Sequence, residues 1–113
     1  MDKKLFEETF IEIKTNALNL FREQFKNTAT NAIDDVGSFM EESKGKIEGW
    51  TFNLAKGDID EGLFKQFISN QHALLQMKLL TYTGLAKIKV DRFQNALKKM
   101  IINTLLDKFL PML

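Results

Sequence analysis

The chain contains no cysteine, a single histidine and a single proline among its 113 residues. The first absence excludes disulfides, thiolate catalysis and cysteine-ligated metals. The second leaves His72 with no second histidine to complete a zinc site. Pro111 is the third-last residue, so no proline interrupts a helix in the interior. No apolar run approaches the roughly 18–20 residues of a membrane span. Glu7, Glu8 and Glu12 interrupt the N-terminal stretch, so it does not read as a secretory signal. The formal net charge of +1 provides no strong overall attraction to nucleic acid or lipid. These features predict one soluble domain over 1–113, cytoplasmic in location.

Helix-spaced apolar residues are abundant. One stripe runs from Phe6 through Phe10, Ile13, Ala17, Phe21, Phe25, Ala29, Ala32, Val36, Met40, Ser43, Ile47 and Trp50 to Leu54. Every step is three or four residues, the spacing of a helix face. A second stripe takes Phe64, Ile68, Gln71, Leu75, Leu79, Tyr82, Ala86, Val90, Phe93, Leu97, Ile101 and Leu105. Ser43 and Gln71 are the polar exceptions, one in each stripe.

Between the stripes, Gly57 suits the left-handed turn after a helix, and Asp58-x-x-Glu61 reads as a capping box starting the next. The spacing therefore predicts an all-α chain folded once, at Gly57–Asp58, into a long antiparallel hairpin. Folding there sets Phe6 against Phe109, Phe10 against Leu105, Leu18 against Leu97, and Val36 against Leu79. The weak helix formers of Asn27–Asn31, Gly37 and Gly84 are the candidate interruptions, but the stripes cross both glycines in phase. Asp34 and Asp35 would also be misplaced at a helix C-terminus. Continuous arms are favoured, and the alternative is a single-chain up-and-down bundle broken near Gly37 and Gly84.

Beside the second stripe lies another apolar set, Leu63, Phe67, Leu74, Met77, Leu85 and Ile88. One facing helix cannot cover both. The expected solution is a homodimer forming a four-helix bundle or coiled coil, with Leu63, Phe67, Leu74, Met77 and Leu85 as the self-association surface.

Chemistry-bearing motifs are sparse. His72 follows Ser69-Asn70-Gln71, so the Glu-x-x-His of di-iron bundles is missing, and the bland reading is a solvated or partly packed histidine. Asp58-x-Asp60 starts like a calcium loop but places Gly62 and Leu63 where such a loop needs a ligand and its glycine. No phosphate-binding glycine loop is present. Gly45-x-x-x-Gly49 would permit close helix approach, or merely leave room for neighbouring bulk. Neither enzyme activity nor a cofactor is expected.

Charge is uneven. Residues 1–57 carry eight cations against ten acids, and residues 58–113 carry eight against five. Lys78, Lys87, Lys89, Arg92, Lys98 and Lys99 face Asp91 alone in their stretch. The leading expectation for function is therefore a self-associating structural or interaction protein. The second is a binder of an anionic surface, nucleic acid or lipid, through residues 78–99 and the apolar face Ile101–Leu110.

Overall fold

Four helices, rather than two long arms, carry the two stripes. The computed structural model describes residues 2–26, 31–82 and 85–110; Ala29, Gly84 and Pro111 lie outside them. The helices are α1 (Lys3–Gln24), α2 (Ala32–Lys56), α3 (Glu61–Leu79) and α4 (Lys87–Phe109). Each packs on its two neighbours around the ring α1–α2–α3–α4, giving an up-and-down bundle of 43 × 24 × 20 Å.

The central reversal is where the sequence put it. Gly57 adopts φ +82° after α2. Its N–H donates to the carbonyl of Leu54 at 3.1 Å and that of Asp58 to the carbonyl of Asn53 at 2.9 Å, closing the last turn of α2. The Ile59 N–H also donates to the Asn53 carbonyl, at 3.4 Å, so the turn extends through Ile59 and the next helix starts two residues later than expected. Asp60 is its cap, with Oδ1 accepting from the Leu63 N–H at 2.7 Å. A Cβ at Gly57 would meet nothing within 4 Å, so only backbone strain opposes substitution there. Gly57→Val is expected to lower stability by about 1–2 kcal/mol in urea denaturation, and Gly57→Asn by less. Equal stability for all three proteins would contradict this account of the turn.

The expectation of a single reversal is corrected twice. α1 ends at Gln24 and α2 begins at Ala32, so the first arm is interrupted between these two residues, not at Gly37; of the weak formers Asn27–Asn31, only Asn31 is among the described residues. Gly37 lies inside α2, where an added Cβ would come to 3.9 Å from Leu18 Cδ2 on α1. Asp34 and Asp35 occupy the first turn of α2, the end where the helix dipole favours acids. The second arm breaks between Leu79 and Lys87, as the single-chain alternative required.

Folding each arm again answers the packing problem that had suggested a dimer. An unbroken arm of more than fifty residues would exceed about 75 Å and expose the flanks of a wide apolar face. Within the bundle that face meets two helices of the same chain. Phe6, Phe10, Ile13, Phe64, Ile68, Leu75, Phe93, Leu97 and Ile101 are all essentially inaccessible to solvent.

The pairing expected from the central fold survives inside the shorter bundle. Phe6 meets Phe109 with ring centroids 6.2 Å apart, and Phe21 meets Phe93 edge-on at 5.4 Å. The polar exceptions in the two stripes satisfy one another, Gln71 Nε2 donating to Ser43 Oγ at 3.0 Å. At their surfaces the added folds are bridged by the Lys14–Glu41 ion pair between α1 and α2 (2.7 Å) and by Gln76 donating to Asp91 between α3 and α4.

Candidate functional site

His72 points into the core between α2 and α4 and is 1% exposed, so the solvated alternative does not hold. Its ring lies edge-on to Phe39, with centroids 5.3 Å apart. With Nδ1 as the protonated nitrogen, it donates to the carbonyl of Ile68 at 2.8 Å. Nε2 is buried without a hydrogen-bond partner, as are both polar atoms of the Gln94 side chain on α4. Burial pushes the His72 pKa down to about 4, with Lys98 acting in the same direction and the Ile68 bond opposing it. A neutral imidazole in an apolar cage, with no carboxylate bonded to it, lacks the arrangement of a general base.

The acids likewise form surface pairs. Lys14 holds the Glu41 carboxyl below its ordinary pKa, and Lys87 does the same for Asp91. Tyr82 donates to Asp35, and that bond raises the phenol pKa. Among the described residues no group of three or more metal-binding side chains comes together.

The five residues expected to self-associate do not share one environment. Leu63, Leu74 and Met77 are exposed on the outside of α3, Met77 by 68%. Phe67 instead packs on Trp50 of α2 at 5.4 Å between centroids, and Leu85 is buried. The contiguous apolar patch read from the sequence is therefore reduced to three side chains. Its depletion follows from α2 and α4 lying on either side of α3.

The basic stretch divides similarly. Lys78 reaches Asp35 at 3.7 Å, and Lys87 reaches Asp91 at 2.7 Å. Lys89, Arg92 and Lys99 are exposed and Lys98 is half-buried, and none of these four forms an ion pair among the described residues. The apolar face proposed to accompany them is largely occupied, because Ile101, Leu105 and Phe109 belong to the core.

Two exposed residues on this side, Leu80 and Ile88, were not among the candidate site residues. Ile88 belongs to the second apolar set read from the sequence but not to the five residues assigned to self-association, and Leu80 was not singled out. Gly45 and Gly49 face outward with open space around them, so they mark no close helix contact.

The described grooves lie elsewhere. The larger, about 540 Å³, runs between α1 and α2 over Leu18, Ile33 and Gly37, with Lys14, Arg22 and Glu42 on its walls. Among the described residues no helix is long and apolar enough to cross a membrane. Comparison with protein-family models, curated proteins and solved structures gave no match.

Proposed function

We propose that this chain is a binding protein rather than a catalyst, and that its working surface is the outer side of α3 and α4. The reading rests chiefly on one distribution. Of the six large hydrophobic residues described as exposed, Leu63, Leu74, Met77, Leu80 and Ile88 lie on α3, just after it or on α4, and only Ile11 lies on α1. The unpaired cations Lys89, Arg92, Lys98 and Lys99 belong to the same half of the bundle. Exposed aliphatic groups clustered with unneutralised charge favour an external partner that supplies both apolar cover and anions.

The self-association reading, a homodimer through α3, is the weaker of the two. The core closes within one chain, so a second copy is not needed to complete it. A twofold contact across α3 and α4 would also bring like-charged cations together. The proposal carries the expectation of a monomer whose melting temperature does not depend on concentration.

A photo-crosslinking residue placed at Met77 or Ile88 in the source cells tests the assignment. Adducts should form from both positions and not from Thr15, which is exposed on α1. Equal yields from Thr15, or none from Met77 and Ile88, would contradict the choice of face.

A further inference from the structure

We infer that the partner of the α3–α4 face is an anionic lipid surface, on which the bundle lies with these two helices underneath. This inference rests on the binding face proposed above. Between Glu61 and Asp107 the only acid is Asp91, and its carboxylate is engaged by Lys87 and Gln76. The face thus offers Lys89, Arg92 and Lys99 with no uncompensated acid beside them. The other half of the chain, residues 1–57, has an excess of acids, so an anionic plane attracts one side of the molecule and repels the opposite one.

The apolar groups favour lipid over other anions. Met77 on α3 and Ile88 on α4 are aliphatic, 68% and 61% exposed, and share the outside of their helices with the exposed Asn70, Ala73, Arg92 and Asn95. Single aliphatic side chains beside cations match a fluid interface, where each inserts among headgroups independently. A protein partner generally anchors bulky residues in a well-packed pocket, and the described grooves lie between α1 and α2 and between α1 and α4. Nucleic acid fits less well because among the described residues no exposed large hydrophobic is aromatic, Phe93 is buried, and Tyr82 is bonded to Asp35.

Sedimentation with phosphatidylcholine vesicles, with and without phosphatidylserine, tests the inference on the intact chain. Binding should require phosphatidylserine and weaken with added salt. Each of Lys89→Gln and Arg92→Gln should reduce affinity about five-fold. Met77→Gln with Ile88→Gln should reduce it further, while Glu12→Gln on α1 should not weaken it. Circular dichroism of the exposed-site variants should match the parent, separating lost binding from lost folding. Equal binding to both vesicle types would overturn the inference, as would binding insensitive to these substitutions. If the protein ignores both vesicles yet still crosslinks to a protein or RNA through Met77 and Ile88, lipid is the wrong occupant and the binding face stands. Loss of both signals would remove the face as well.

Discussion

Replacing Phe93 by alanine should destabilise the protein by about 3–5 kcal/mol, a large share of the 5–15 kcal/mol typical of a domain. Phe93 is fully buried, and the edges and faces of Phe21 and Phe25 meet it at 5.4 and 6.4 Å between centroids. The substitution removes the ring from water-free surroundings and leaves a cavity where the end of α1 meets α4. Neighbouring rings are too large and too constrained by their helices to fill it. Urea unfolding should show the midpoint falling with little change in slope. A loss below about 1 kcal/mol would mean that the C-terminal end of α1 does not pack on α4.

Acidification should produce the second large effect, through His72. Its folded pKa of about 4 lies below the ordinary histidine value of 6.5, so between these values the unfolded chain binds a proton that the folded chain refuses. Stability therefore rises with pH in that window: it is complete above about pH 6.5 and declines as pH falls toward 4. The full shift corresponds to roughly 3 kcal/mol. Glu41 and Asp91 also lose stabilising interactions in acid, but their pKa values are lowered from 4.5 and 3.8, placing their losses below most of the window. His72→Met should consequently flatten the stability profile between pH 6.5 and 4. A variant that keeps the parent's slope would assign the acid sensitivity to another group.

The sequence carried more of the packing than of the topology. Helix periodicity identified the core residues, and the central glycine identified which positions face one another, down to Phe6 with Phe109; that the polar exceptions Ser43 and Gln71 bond each other came only from the structure. The two other reversals were harder to read because an in-phase stripe was taken as continuity. Phase can be regained across a loop when both flanking helices face the same core. Asp34 and Asp35 held the missing signal: acids that disfavour a helix end at Gly37 favour a helix start just before them. Of the candidate site, Leu74, Met77, Lys89, Arg92 and Lys99 were legible from composition. Which of their neighbours remained exposed was not, since Phe67 and Leu85 are covered by elements distant in sequence or beyond a turn.

The absence of cysteine makes the central claim directly measurable, because two introduced thiols can be labelled without background. Glu8 on α1 and Lys46 on α2 are both exposed and suit spin labels. Neighbouring helix axes lie about 8–10 Å apart, so a single-chain bundle predicts a label separation below about 25 Å. The doubly labelled chain should be diluted in excess unlabelled protein, so that only distances within one molecule are read. A continuous first arm would instead separate the two sites by roughly 57 Å along one helix axis, whether or not two hairpins associate. A short, dilution-independent distance is the result expected here. A distribution centred near the long value would contradict the four-helix chain and restore the extended hairpin.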